Sequence, residues 1–337
     1  MPPSCPHFIP AIGLGNPHLQ TLYPVFFRPL PVPETTIETF RFDDGDFTDS
    51  YWHQRPESAS GTPIVTLFHG LQGSYRSPYI RGMMHALAEA GFASVVMHFR
   101  GCSGRPNALP RSYHSGDTAD ARAWLHHLKR SYPQSPLYAV GYSLGGNMLL
   151  KLLAEDGEHS PLSAAVSVSA PLLPAVSARR LEHGLSRLYR SYLLRDLKHT
   201  LLKKYDRFDM RKLLGKTREQ IRSLSSFYDF DDAYTAPIHG FTSADDYYAR
   251  SGARRYLGRI RTPTRIIQSR DDPFMTPEIL PDPAALPDNV ILDVTPRGGH
   301  VGFVAGSLLH PVYWLEKCIP RFFRTFESAS ADITDPR

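Results

Sequence analysis

A serine flanked by two glycines gives the clearest chemical signal in the sequence. Residues 141–145 read GYSLG, a G-x-S-x-G pattern. The apolar segment LYAV precedes it, and the helix-like segment GNMLLKLLAE follows it. A serine on a sharp turn from a strand into a helix projects its hydroxyl above the sheet, beside the free N–H groups that begin the helix. We therefore predict that Ser143 is the nucleophile of an acyl-transfer reaction.

A serine hydroxyl needs a base, and the base needs an acid that orients it. After a G-x-S-x-G turn, the acid and then the histidine come later in the chain. Asp271 and Asp272 follow the strand-like segment TRIIQS, and His300 follows NVILDV and a pair of glycines. We predict that His300 is the base and that Asp272, which directly precedes a proline, is the acid. Asp271 is the alternative acid.

Two backbone N–H groups must stabilise the oxyanion that forms when the serine attacks a carbonyl. Leu144, the residue after the serine, supplies one of them. The other comes from the loop after an earlier strand, here the segment FHGLQG at residues 68–73, and we predict that Leu71 donates it. His69 begins this loop, and we interpret it as a residue that fixes the loop rather than as a second base.

The three cysteines of the sequence are Cys5, Cys102 and Cys318. Their odd number and wide spacing match neither a disulfide framework nor a zinc site, so we expect reduced thiols. Arg100 lies near Cys102 and could lower the pKa of its thiol, but no Cys–His order supports thiol catalysis. The glycines at 141, 145 and 146 do not match a dinucleotide-binding pattern. We expect no metal and no organic cofactor.

Strand-like and helix-like segments alternate around these residues. Apolar runs with β-branched residues are typical of buried parallel strands. The β-α-β-α order predicts a mostly parallel, doubly wound sheet, with ligands bound beyond the carboxyl ends of its strands. The predicted strands of this alternation are 63–68, 93–99, 137–141, 164–170, 264–269 and 289–294, and its helices are 79–90, 117–131 and 146–155.

Residues 171–258 interrupt the alternation, since they contain leucines at helical spacing and no clear strand. We predict that they form a helical cap, because the insertion leaves the sheet where ligands bind; a peripheral decoration is the alternative. Residues 37–170 and 259–330 are the predicted α/β core. Residues 1–36, which are rich in proline and aromatic side chains, are predicted to be an irregular arm packed on the core, without helix or strand.

The composition excludes several classes of protein. Of the 337 residues, 42% are hydrophobic and 21% are charged, as in a globular protein, and the net charge of +5 is spread along the chain. A nucleic-acid-binding protein would concentrate its positive charge in one patch or tail. The N-terminus lacks a secretory signal pattern, and no apolar run is long enough for a transmembrane helix. We expect a cytoplasmic protein that neither binds nucleic acid nor inserts stably into a membrane.

Seven segments spread along the chain together resemble one family. They are NPHLQTLYP, FHGLQGSYRSPYIRG, VVMHFRGCSG, YHSGDTAD, GYSLGGNMLL, DDPF and GGHVGF. Over residues 8–326 the chain resembles the bacterial YheT-type α/β-hydrolases, which are similar to the eukaryotic ABHD1/2/3-like proteins and to the yeast medium-chain ester synthase/esterase group.

This resemblance implies the α/β-hydrolase fold and an esterase activity on uncharged acyl esters, without a metal or cofactor. It also implies a catalytic triad of Ser143, Asp272 and His300. In addition, it implies that the segment FDDAYTAPIHGF and residues 245–248 belong to the insertion near the pocket.

These observations predict a serine carboxylesterase that hydrolyses short- to medium-chain acyl esters through an acyl-enzyme on Ser143. The expected partner is a small-molecule ester, and the leucine-rich insertion is the reason for the predicted chain length. Acyl transfer to an alcohol uses the same intermediate and is one alternative. A non-catalytic binding protein on the same scaffold is the other. The sequence leaves the oligomeric state open.

Overall fold

A single sheet of eight strands forms the centre of the molecule, which a computed structural model describes for residue 5 and residues 7–331. In chain order its strands are β1 (Thr36–Arg41), β2 (Phe47–His53), β3 (Ile64–Phe68), β4 (Ala93–Met97), β5 (Leu137–Tyr142), β6 (Ala164–Val168), β7 (Thr264–Ser269) and β8 (Val290–Thr295). The spatial order is β1-β2-β4-β3-β5-β6-β7-β8. Strands β3 to β8 pair in parallel, while β1 and β2 join one edge antiparallel. The predicted mostly parallel sheet is confirmed.

An α-helix directly follows each of the strands β3 to β6. They are α1 (Pro17–Phe27), α2 (Pro78–Glu89), α3 (Ala119–Ser131), α4 (Leu144–Asp156), α5 (Pro174–Arg180), α6 (Ser186–Lys204), α7 (Met210–Leu214), α8 (Arg218–Ser223), α9 (Phe227–Phe230), α10 (Ala236–Ile238), α11 (Ala244–Ser251) and α12 (Trp314–Ala331). Helices α5 to α11 all lie between β6 and β7. Across the described part of the chain, no helix combines the length and the apolar character needed to cross a bilayer.

Several short elements connect these helices and strands. Turns of 3₁₀-helix span Gly157–His159, Ala253–Arg259, Pro277–Ile279 and Pro283–Ala285. A π-helical turn, Asp231–Thr235, separates α9 from α10. A small antiparallel pair, β9 (Val304–Gly306) and β10 (Pro311–Tyr313), precedes α12.

Two apolar layers enclose the sheet because alternate strand residues point to opposite faces. Ile64 and Phe68 pack in one layer with residues of α3 and α4. Val65 and Leu67 pack in the other layer with residues of α2 and α12. The central strands are buried on both faces, which explains why their sequences read as continuous apolar runs.

The N-terminal arm contains a helix that the sequence interpretation missed. Residues 1–4 and 6 lie outside the described residues, but Pro17–Phe27 forms α1. The Asn16 side chain accepts hydrogen bonds from the N–H groups of His18 and Leu19 and so caps the helix. Pro17 occupies the first turn, where backbone N–H groups have no acceptor within the helix, so the N–H that proline lacks is not missed. The prediction of an arm without a helix is therefore wrong, because a proline in the first turn is compatible with helical geometry.

The prediction of three reduced thiols is also wrong. Cys5 and Cys318 are joined as a disulfide, with their Cα atoms 5.2 Å apart, and only Cys102 is free. The two paired residues are 313 positions apart, so no local spacing in the sequence points to the bond. The disulfide connects the arm to α12.

Arg100, in the turn after β4, lies at the centre of a buried charged cluster. Its guanidinium donates to Asp120 at 2.6 and 2.7 Å, to Asp44 at 2.7 Å and to Asp46 at 3.0 Å. Burial opposes the positive charge, but the Asp120 and Asp44 carboxylates outweigh this effect and raise the pKa of Arg100. The cluster ties the β1–β2 turn to the start of α3.

We expect that Arg100→Met lowers the free energy of unfolding by about 3–5 kcal/mol, because it leaves buried carboxylates without their cation. Urea denaturation followed by circular dichroism measures the change. Arg222→Met is the matched control, because Arg222 pairs with Glu219 on an exposed helix surface. Its loss should cost less than about 1 kcal/mol. Equal losses in the two variants would contradict a structural role for the buried cluster.

Candidate active site

Ser143 stands on a strained turn between β5 and α4. Its backbone has φ 51° and ψ −120°, a conformation that residues other than glycine rarely adopt. A Cβ on Gly141 would lie 2.5 Å from the carbonyl oxygen of Gly145, and a Cβ on Gly145 would lie 2.6 Å from the carbonyl oxygen of Phe68. Both positions therefore require glycine. The turn places the Ser143 hydroxyl at the beginning of α4, where helix N–H groups are free.

The turns after β7 and β8 bring Asp272 and His300 to this serine. The Nε2 atom of His300 lies 3.0 Å from the Ser143 hydroxyl oxygen. The Nδ1 atom of His300 lies 2.8 Å from the Oδ2 atom of Asp272. A histidine that donates from Nδ1 to the carboxylate presents a lone pair at Nε2 to the hydroxyl proton. The three side chains thus form a continuous hydrogen-bonded series.

The two adjacent aspartates make different contacts. Asp272 is 4% exposed, and its other carboxylate oxygen accepts a hydrogen bond from the N–H of Phe274 at 2.8 Å. Asp271 instead accepts from the N–H of Gly299 at 3.0 Å, next to His300 in the chain. Burial raises the pKa of Asp271. The geometry therefore places Asp272 against the imidazole of His300. It places Asp271 against the backbone of the loop that carries His300.

Residues from three other parts of the chain hold His300 in place. The hydroxyl oxygen of Thr21, in α1, accepts from the N–H of His300 at 2.9 Å. The ring of Phe274 stacks on the imidazole with centroids 4.0 Å apart and planes 4° from parallel. The Ser169 hydroxyl oxygen accepts from the N–H of Val301 at 3.1 Å. None of these three contacts was predicted from the sequence.

The loop after β3 presents Leu71 beside the turn that carries Ser143. The N–H of Gly70 donates to the Tyr79 hydroxyl, and the N–H of Gln72 donates to the Tyr113 hydroxyl, each at 2.9 Å. The N–H of Leu71 between them has no acceptor within residues 7–331. The N–H of Leu144 belongs to the first residue of α4, where helical geometry provides no acceptor. Both predicted donors are thus available to a ligand.

His69 is buried at the base of the same loop. Its Nδ1 lies 2.7 Å from the carbonyl oxygen of Gly70, and its Nε2 accepts from the N–H of Phe99 at 3.2 Å. Burial and the neighbouring His98 lower its pKa to about 3, so the ring is neutral at physiological pH. It joins the loop to the end of β4, and both of its ring nitrogens are occupied. The contacts agree with the interpretation of His69 as a residue that fixes the loop.

The sequence matches the alpha/beta hydrolase fold family over residues 63–307. The chain belongs to this family. It is 44% identical to "Putative esterase YheT" of Escherichia coli, over 97% of this chain and 96% of that one. It is 29% identical to "Phospholipase ABHD3" of Mus musculus, over 96% of this chain and 79% of that one. These similarities confirm the resemblance that the seven sequence segments predicted.

A solved structure supports the same fold. The esterase Pf2001 of Pyrococcus furiosus superposes with a TM-score of 0.56, over 87% of this chain and 91% of that one. The two sequences are 15% identical, so this likeness concerns the α/β-hydrolase fold alone.

An open cleft of about 620 Å³ leads to Ser143 and His300 in this hydrolase. Apolar side chains form most of its walls. Helix α1 supplies one wall and helix α6 supplies another. The walls include Leu22, Val25 and Phe26 of α1, then Leu188, Tyr192 and Leu193 of α6. Several of these side chains are exposed at the rim, where Phe26 is 70% and Leu188 is 69% exposed. The insertion and the arm therefore both line the route to the serine.

Cys102 is the one cysteine that is not in the disulfide. Burial raises the pKa of its thiol to about 12, so the thiolate that thiol catalysis requires does not form at neutral pH. Arg100 does not promote the thiolate, because its guanidinium is bound to the three carboxylates described above. The structure thus agrees with a packing role for Cys102.

One group of described side chains has donor atoms close enough together for a metal ion: His114, Asp117 and His239. The carboxylate of Asp117 is bound by Arg111 at 2.6 Å. Burial lowers the pKa of His114 to about 3, and the positive charges of Arg111, Lys151 and Arg250 act in the same direction. Such cationic surroundings oppose the binding of a divalent ion.

Proposed function

We propose that this protein is a serine carboxylesterase that hydrolyses short- to medium-chain acyl esters through an acyl-enzyme on Ser143. The observation that supports this proposal is the hydrogen-bonded series Ser143–His300–Asp272 at the inner end of an apolar cleft. The names of the bacterial and mouse relatives, an esterase and a phospholipase, agree with ester cleavage.

The proposed reaction begins when His300 removes the proton of Ser143 as the hydroxyl oxygen attacks the ester carbonyl. The carboxylate of Asp272 holds the imidazole and stabilises its charged form. The N–H groups of Leu71 and Leu144 donate to the oxyanion, and each such donor contributes about 2.7–4 kcal/mol in comparable sites. His300 then protonates the leaving alcohol.

Water completes the reaction. His300 takes a proton from the water as it attacks the acyl-enzyme carbonyl. When the second tetrahedral intermediate collapses, the bond from the acyl carbon to the Ser143 oxygen breaks, the acid leaves, and His300 gives its proton to the Ser143 oxygen. No step requires a metal or an organic cofactor.

The cleft supports the assignment of the acyl group. Its walls offer leucine, valine and aromatic side chains, which suit a hydrocarbon chain because burial of apolar surface is favourable. An acyl half that carried a charge would, by contrast, enter a cleft whose mainly apolar walls offer little compensation for that charge. We therefore propose esters with an uncharged acyl half as the substrates.

Labelling with a fluorophosphonate tests the nucleophile. We expect one covalent adduct on Ser143, located by mass spectrometry of the digested protein, and no adduct in Ser143→Ala. Hydrolysis of p-nitrophenyl esters from acetate to palmitate should show a preference for short and medium chains. Equal labelling of wild type and Ser143→Ala would refute the proposal.

A further inference from the structure

A second, smaller pocket adjoins Ser143 on the side of the insertion. It has a volume of about 120 Å³ and shares Ser143 and His300 with the large cleft. Phe227, Asp231 and Tyr248 of the insertion form part of its wall. Its wall contains the carboxylate of Asp231, whereas the carboxylate that lines the large cleft, Asp196, is partly exposed and forms an ion pair with the arginine before it in the chain. The two sides of the reacting bond therefore meet different surroundings.

Asp231 is the first residue of the π-helical turn that follows α9. Its Oδ1 atom accepts from the Thr235 hydroxyl at 2.6 Å, and its Oδ2 atom accepts from the Tyr248 hydroxyl at 2.8 Å. Among the described side chains, none that is positively charged forms an ion pair with it. Turns of π-helix are rare and occur frequently at functional sites. Burial raises the pKa of Asp231 to about 6.

An unpaired carboxylate in such a position has unused bonding capacity. An ionised carboxylate can accept about four hydrogen bonds, and two of the positions on Asp231 are filled. Keeping a carboxylate away from water without a cation is unfavourable, so a purely structural role would be served as well by a neutral side chain. Buried ionisable groups in a cleft beside a nucleophile are candidates for ligand binding.

We propose that Asp231 binds the alcohol half of the ester by accepting a hydrogen bond from a hydroxyl or a protonated amine on that half. This inference rests on the proposed esterase function. The acyl chain has no donor and suits the apolar cleft, whereas the alcohol half can carry one. Both pockets are mainly apolar, so the carboxylate of Asp231, which forms an ion pair with no described side chain, is the feature that assigns the alcohol half to the small pocket. Asp231 is therefore a residue that determines specificity.

The test compares esters that share an octanoyl chain and differ only in the alcohol. Propyl octanoate has no donor, 2,3-dihydroxypropyl octanoate has hydroxyl donors, and 2-(dimethylamino)ethyl octanoate has an N–H donor when protonated. We expect wild type to show a higher kcat/KM for at least one of the donor-bearing esters than for the propyl ester. Asp231→Asn should reduce that ratio by about 10-fold or more, mainly through KM, since hydrogen bonds to charged groups are the stronger ones.

The donor-bearing ester that wild type prefers identifies the donor as a hydroxyl or an amine. Asp229→Asn is the matched control, because Asp229 lies nearby on the same segment with an exposed side chain that lines neither pocket. Its ratios should equal those of wild type. A wild type that shows no preference among the three esters overturns the inference without any variant, so the outcome does not depend on the folding of Asp231→Asn.

The two proposals fail in different ways. Absence of hydrolysis of all three esters by wild type would contradict the esterase function itself. Hydrolysis with ratios that Asp231→Asn leaves unchanged would contradict only the role of Asp231. Thermal denaturation of each variant identifies any loss that comes from unfolding.

Discussion

His300→Ala is expected to lower kcat for ester hydrolysis by about 10⁴-fold or more, with a much smaller change in KM. The imidazole lies 3.0 Å from the Ser143 hydroxyl, and its other nitrogen is held by Asp272. Alanine leaves the hydroxyl without a base, although the cleft and the N–H groups of Leu71 and Leu144 remain. The lost interaction belongs to the transition state, so the effect falls on kcat.

Steady-state kinetics with p-nitrophenyl butyrate on purified variants measures this loss. His310→Ala is the control, because His310 lies in the exposed turn between β9 and β10 and lines none of the pockets described above. It should retain the activity of wild type. A loss smaller than about 10-fold in His300→Ala would show that another group accepts the serine proton.

The sequence was informative about the residues that lie at strand ends. Ser143, Asp272 and His300 each follow a strand whose apolar run is visible in the sequence, and parallel strands bring their carboxyl ends to one edge of the sheet. The G-x-S-x-G turn requires glycines for steric reasons, which makes it recognisable without any structure. The fold class and the family resemblance follow from the same segments.

The sequence was less informative about the residues that support this site. The hydroxyls of Tyr79 and Tyr113 hold the loop around Leu71 through contacts that span 9 and 41 positions of the chain. Thr21 contacts His300 across 279 positions, and no periodicity encodes such a distance. Supporting contacts of this kind depend on tertiary packing, so they become visible only in three dimensions.

Asp231 shows a similar limit for polar residues in the insertion. In the sequence it is one of two adjacent aspartates, and nothing local separates it from Asp232, which is exposed and accepts from the N–H of Ala244. The difference arises because the π-helical turn directs one of them towards Tyr248 and the small pocket. The cap assignment and the cytoplasmic location stay predictions from the sequence.

Asp272→Asn is expected to lower kcat by about 10⁴-fold, as the equivalent change does in serine proteases. An amide in this place donates to Nδ1 of His300 instead of accepting from it. The imidazole then carries its proton on Nε2, towards Ser143, and can no longer accept the proton of the hydroxyl. The side chain keeps its size and the loop keeps its backbone, so KM and thermal stability should change little.

Asp271→Asn is the matched variant, since the two aspartates are adjacent and the sequence alone left the choice between them open. The Asp271 carboxylate accepts from the N–H of Gly299, and an amide oxygen can accept in its place. We therefore expect a loss of less than about 10-fold in kcat, against the far larger loss for Asp272→Asn. Steady-state kinetics on both variants compares them directly. A larger loss for Asp271→Asn than for Asp272→Asn would mean that Asp271 orients the imidazole during the reaction.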